Sequence, residues 1–203
     1  CDDGELFTED SYSENLTYDD NVLKNATYNH SKGYGLRAVK EDLVGYSYSN
    51  SLDIKSIGDA AKTVSAIKKG YSGKSNIEPN EKNSSLYTND NPIDKLEFSE
   101  KVKLLEKIND FGRSADNKVR QLSASISGSF QKISILRESG QIISDIRPLV
   151  RLNISITLEK NGKKETGTVG IGGRYLYDNI FKDNVWKDQV KCALDQANVM
   201  LNA

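Results

Sequence analysis

The chain has 203 residues, 36% hydrophobic and 28% charged, with a formal net charge of −1. That balance suits a globular protein with a real core and carries no basic excess for displacing counterions from nucleic-acid phosphates, so no nucleic-acid partner is expected. No apolar run approaches the ~20 residues of a membrane-spanning helix, so no membrane partner is expected either.

Residues 6–8, 15–18, 27–28, 36–39 and 44–48 lean to strand, with a turn at Asp19-Asp20-Asn21 and bends at Gly33, Gly35 and Gly45. Tyr46 and Tyr48 fall on one sheet face by the two-residue period. A helix follows, capped by Asp53, with Ile54, Ile57, Ala61 and Val64 as its apolar stripe and an end near Gly70. Residues 70–92 are rich in Gly, Ser and Asn and carry Pro79 and Pro92, which reads as a loop or linker. Ser99 is placed to cap a second helix with Val102, Leu105, Ile108 and Phe111 on one side and Gly112 near its end.

A second strand region covers about 119–175. Ile126 and Phe130 begin it, and Ile133 and Ile135 alternate after them. Its clearest strand has Pro148, Val150, Leu152, Ile154, Ile156 and Leu158 pointing one way and Leu149, Arg151, Asn153, Ser155 and Thr157 the other. Asn161-Gly162 supplies the left-handed backbone of a two-residue hairpin turn, with a returning strand over 163–169. A last helix over about 185–201 is expected to bury Trp186, Val190, Ala193, Ala197 and Met200.

These elements predict an α+β fold, an antiparallel or mixed sheet packed with about three helices. The expected organisation is a strand meander and helix over 1–69, a polar linker over 70–92, and a helix, hairpin region and closing helix over 93–203. The last two parts and the first are also readable as one continuous domain.

The chemistry-bearing residues are sparse. His30 is the sole histidine, whereas a catalytic zinc site draws about three N, O or S ligands, so no metal or other cofactor is expected on this chain. His30 reads as a surface residue and Cys192 as a small buried hydrophobe beside Ala193 and Leu194. Cys1 and Cys192 lie at opposite ends and make no disulfide framework, which favours a reducing, cytoplasmic setting. A leading cysteine also opens mature lipoproteins. Here strand-like sequence at 5–8 follows at once in place of a polar tether, so a trimmed chain is the expectation.

Gly167, Gly170, Gly172 and Gly173 lack the lysine–hydroxyl pair of a phosphate loop. They read as bulges, as sites where another backbone comes close, or as backbone open to an extended peptide. Arg174 beside them could hold a carboxylate. Arg147 and Arg151, four apart on a strand, share a face at ~13 Å. They serve either to hold a carboxylate-bearing segment or, the favoured reading, as ordinary ion-pairing surface charges.

Several segments together resemble the N-terminal region of the TldD/PmbA family. They are Gly33-Tyr34-Gly35-Leu36-Arg37-Ala38-Val39, Gly45-Tyr46-Ser47-Tyr48-Ser49, Asp145-Ile146-Arg147-Pro148-Leu149-Val150-Arg151-Leu152 and Gly170-Ile171-Gly172-Gly173-Arg174. The resemblance implies a cytosolic zinc metallopeptidase, also called a modulator of DNA gyrase, acting on peptides or unfolded chains and paired with a PmbA/TldE-like subunit. It further implies that the family's HExxxH zinc helix follows the position of 185–201, beyond Ala203, and that a first helix precedes Cys1. No catalytic or metal residue therefore carries over to this chain. Peptide or partner binding is assigned to Arg147, Arg151, Gly170, Gly172, Gly173 and Arg174. The competing expectation is a non-catalytic interaction module, either a PmbA/TldE-like subunit or a lipoprotein domain anchored through Cys1.

Overall fold

The computed structural model describes residues 3–65 and 86–203. In chain order its elements are β1 (Asp3–Asp19), β2 (Val22–Lys40), β3 (Leu43–Ser49), α1 (Ile54–Ser65), α2 (Phe98–Ala115), β4 (Val119–Arg137), β5 (Ile142–Lys160), β6 (Lys163–Gly173), α3 (Asp178–Phe181) and α4 (Asp183–Asn202). The strands make one six-stranded antiparallel sheet in the order β3-β2-β1-β4-β5-β6, and the α+β expectation holds. Among the described residues there are four helices, three of them substantial.

The expected turn at Asp19-Asp20-Asn21 is present as a two-residue loop, Asp20-Asn21, with left-handed φ of 47° and 67°. The strands it joins are far longer than expected. Single strands of 17 and 19 residues stand where short ones were read. Their polar stretches look like loop because β1 lies inside the sheet, where backbone ladders on both sides hold it whatever its side chains prefer. Gly33, Gly35 and Gly45 accordingly lie within strands, not at bends. Gly35 makes room for a ring, since a Cβ there would fall 2.6 Å from Tyr46 Oη.

The chain divides into two compact units, residues 1–12, 30–86 and 131–146, and residues 13–29, 87–130 and 147–203. The four long strands β1, β2, β4 and β5 each lend a part to both.

In the first unit, Asp53 caps α1 by accepting the Ser56 N–H at 2.8 Å. Hydrogen bonds from Ser51 and the Ser56 backbone hold the Asp53 carboxyl below its usual pKa. The buried stripe of α1 is Ala60 and Val64, with Ile57 half-buried, while Ile54 is 90% exposed and Ala61 is exposed. The expected stripe thus holds at Ile57 and Val64 and fails at Ile54 and Ala61, where Ala60 faces inward instead, a consequence of reading a 3.6 period from few apolar residues. Tyr34 Oη donates to the Ser56 carbonyl at 2.7 Å and ties β2 to this helix. The expected end near Gly70 and most of the 70–92 loop lie outside the described residues.

The second unit holds the larger core. Val150, Leu152, Ile154, Ile156 and Leu158 of β5 are each at most 1% exposed, as their alternation predicts. Leu122, Ala124, Ile126 and Phe130 of β4 join them by the same two-residue rule. α2 begins one residue before Ser99. Glu97 occupies the N-cap and makes no side-chain cap bond, so the expected Ser99 cap is absent. Leu104, Leu105 and Ile108 are its buried aliphatics, and Gly112 is packed so closely that a Cβ would meet Leu122 Cδ1 at 2.4 Å.

In α4, Trp186, Val190, Ala193 and Ala197 are buried as predicted. Leu194 and Leu201 join them, whereas Met200 is only half-buried. Cys192 is exposed, because it falls off the line of those buried positions, and the expected buried thiol is corrected. Phe111 and Trp186 meet edge-to-face at 5.6 Å between ring centroids and join α2 to α4.

Candidate functional site: the β5–β6 hairpin edge

The hairpin turns on Asn161 and Gly162, whose φ values of 53° and 82° give the two-residue left-handed loop the sequence predicts. Pairing starts at Lys160↔Lys163 and runs without a slip to Val150↔Gly173, four residues beyond the expected end of the returning strand. β6 is an outermost strand of the sheet. The Thr168 N–H donates to Gln196 Oε1 at 2.6 Å, so it faces away from β5. In an antiparallel ladder, outward groups recur every second residue. Gly170 and Gly172, both exposed, therefore also direct their backbone N–H and C=O to the open edge.

Each glycine has a physical reason. A Cβ on Gly167 would lie 1.9 Å from the Ala193 carbonyl oxygen, so this glycine lets α4 rest directly on β6. A Cβ on Gly170 would lie 2.7 Å from Asn153 Oδ1 and 2.8 Å from an Arg151 Nη2, so the Arg151 guanidinium lies across bare backbone. Arg151 Nε donates to Asn153 Oδ1 at 2.7 Å, which holds that pose. At Gly172 a Cβ would strike the Val150 carbonyl oxygen, and at Gly173 the Tyr175 ring.

The structure thus brings Arg151, Gly170 and Gly172 together. Arg147 stands on the same strand, is half-buried and has its own interactions. The Arg174 guanidinium sits over the Tyr87 ring, 5.3 Å from its centroid, in a cation–π contact. Sequence reasoning did not single out Asn153, Tyr87 or Gln196. Asn153 had a usable signal, two residues from Arg151 on one strand face; Tyr87 and Gln196 had none.

The remaining chemistry-bearing residues make their own contacts. His30 stacks on Tyr12 with ring centroids 4.2 Å apart, and its Nε2 lies 2.6 Å from Asp10 Oδ1. In the second unit, Lys101 and Glu14 form a buried ion pair beside Tyr177. Burial, then the Glu14 charge, pushes the Tyr177 hydroxyl far above its ordinary pKa, so it stays protonated. Among the described residues no three or more His, Cys, Asp or Glu side chains are grouped to hold a metal ion. The donor set does not fit a catalytic metal, and no catalytic step is built on these residues.

An antiparallel six-stranded sheet packed with helices, with glycines along its β6 edge, defines an α+β class of domain. The chain belongs to the TldD/PmbA metallopeptidase family: residues 4–68 match the model for PmbA/TldA metallopeptidase domain 1, and residues 91–201 match that for the central domain. It is 32% identical over 182 residues to the metalloprotease TldD homolog of Haemophilus influenzae, covering 88% of this chain and 38% of that protein. The TldD homolog of Buchnera aphidicola from Acyrthosiphon pisum is 31% identical over 177 residues, covering 86% and 36%. The chain therefore spans well under half the length of these relatives.

Two solved structures share the fold. A Thermotoga maritima protein named for modulation of a DNA gyrase superposes with a TM-score of 0.77 at 15% identity, covering 99% of this chain and 45% of that one. TldE from Thermococcus kodakarensis gives 0.66 at 14% identity, covering 94% and 43%.

Proposed function

We propose that this chain is the substrate-binding and subunit-pairing region of a TldD-like zinc metallopeptidase of the cytosol, one that cleaves peptides or unfolded chains. The observation that carries the reading is the open β6 edge. Gly170 and Gly172 turn their backbone groups outward, and an extended chain added there gains main-chain hydrogen bonds without a side chain in its way. Arg151 lies over the same two residues and offers a cation to a carboxylate on that added chain. Arg174, fixed on Tyr87, borders the end of the strand. Membership of a metallopeptidase family supports a peptide as the added chain, and the fold shared with a TldE supports a related subunit as the pairing partner. The zinc of this reading would be held outside these residues.

Amide hydrogen exchange of the 203-residue chain tests the edge directly. With an unstructured peptide or a TldE-like subunit present, exchange at Gly170 and Gly172 slows while the β5-facing amide of Val169 stays as protected as before. Unchanged exchange at both glycines with either addition sinks the assignment.

A further inference from the structure

Away from the β6 edge, the second unit holds a cavity of about 360 Å³ between the start of α2, the segment before it, and strands β1 and β2. Its buried charged groups are Glu14 and Lys101, 8% and 2% exposed. The Lys101 ammonium lies 2.7 Å from Glu14 Oε1 and donates to Glu14 Oε2 at 2.9 Å and to the Ile93 carbonyl at 2.8 Å, so this pair presents no net charge. Aliphatic wall comes from Leu16, Ile93 and Leu96.

The mouth is different in character. Tyr28 and Phe98, 56% and 53% exposed, line the same cavity as the carboxylates of Asp94 and Glu97. Asp94 Oδ2 accepts a hydrogen bond from Asn91 Nδ2 at 2.6 Å, and among the described residues neither Asp94 nor Glu97 is in an ion pair. Exposed aromatic rings together with such carboxylates attract organic cations, through the ring quadrupole and through Coulomb attraction. The same carboxylates repel anions. The cavity size lies at the lower end of small-ligand sites and accommodates one long side chain or one terminal residue.

We propose that this cavity receives a positively charged ammonium or guanidinium group of a peptide, with the cation between Tyr28, Phe98, Asp94 and Glu97. This rests on the peptide-binding reading above and adds a charge preference to it. Shared chemistry leaves two sources for the cation, the peptide's N-terminus and a lysine or arginine side chain.

Titration of the 203-residue chain, followed by calorimetry and by NMR shifts at Tyr28 and Phe98, separates the cases. The probes are n-butylammonium, a short alanine peptide with a free N-terminus and one lysine, its N-acetylated form, and an acetylated form with norleucine in place of lysine. Binding by the charged peptides and not by the neutral one is expected. Acetylation alone abolishes it if the N-terminus is the source, and the norleucine exchange alone does so if the side chain is. The paired change Asp94→Asn and Glu97→Gln, both at exposed residues, weakens binding about tenfold, and Tyr28→Ala weakens it severalfold. Equal binding of the neutral peptide, or unchanged affinity in these variants, overturns the cation site while leaving peptide binding intact. Binding of n-butylammonium with no binding of any peptide keeps the cation site and overturns the peptide reading. No response to any probe overturns the inference.

Discussion

Lys101 on α2 and Glu14 on β1, 87 residues apart in sequence, form an ion pair with side chains only 3% and 7% exposed. Removing one partner from such a pair strands the other charge in a dry environment, a cost of roughly 3–5 kcal/mol. Lys101→Met or Glu14→Gln alone is therefore expected to lower unfolding free energy by about that much in urea titration. Lys101→Met combined with Glu14→Leu recovers most of the loss, because two apolar groups replace two charges. Additive losses in the double variant would show that the pair is not the source of the cost.

Gly167 carries the contact between α4 and β6. Its missing Cβ would stand 1.9 Å from the Ala193 carbonyl oxygen and 2.9 Å from the Ala197 nitrogen, both of them helix backbone that cannot rotate away. Gly167→Ala is expected to push α4 off the sheet and destabilise by about 1–3 kcal/mol or more, with increased solvent exposure of the buried Trp186. The change is read as a lower denaturation midpoint and a red-shifted tryptophan emission. A variant as stable as the parent would mean that the helix does not rest on this glycine.

These two features mark the boundary of what the sequence made legible. Strict alternation over 148–158 and the Asn161-Gly162 pair identified β5, its turn and its face, because both signals are local. The length of β1 and β2 was hidden, since backbone pairing with neighbouring strands holds polar stretches that carry no apolar period. The glycines and arginines of the hairpin were picked out as a group, but what each touches was not. Arg174 meets Tyr87 from a segment with no strand or helix signal, and Gly167 answers to a helix that begins 16 residues later. Lys101 and Glu14 stayed invisible because a charge on a helix or strand reads as solvent-facing until its distant partner is known.

The hairpin turn itself is open to test. Gly162 has φ of +82°, and nothing lies within 4 Å of its would-be Cβ, so strain there is purely conformational. Gly162→Val is expected to destabilise by roughly 1 kcal/mol or more, since a β-branched side chain resists that region. Gly162→Asn, which tolerates it, costs less. Equal losses for the two substitutions in thermal unfolding would point to packing in place of backbone strain.

Acid sensitivity is expected from Asp116, which closes the end of α2. Burial pushes its carboxyl up, but the Lys118 backbone N–H at 2.9 Å, Asn198 Nδ2 at 3.2 Å and the Lys118 ammonium at 3.2 Å outweigh it and leave the pKa lowered. A carboxyl with a folded pKa below its unfolded value contributes stability that is complete above the unfolded value near 3.8. That contribution is lost as pH falls through the lowered folded value. Lys118 also donates to Asn198 Oδ1 at 2.6 Å, so the three side chains join the α2–β4 corner to α4 as a unit. Asp116→Asn is expected to lower stability at neutral pH by about 1–2 kcal/mol, given the loss of charge-assisted bonds. The difference between variant and parent should shrink as pH falls below about 4, where the unfolded chain's carboxyl takes up its proton first and the folded parent's follows at lower pH. Unfolding curves at neutral pH and near pH 3 decide the matter: a gap that stays constant with pH would show that Asp116 acts through shape and not through its charge.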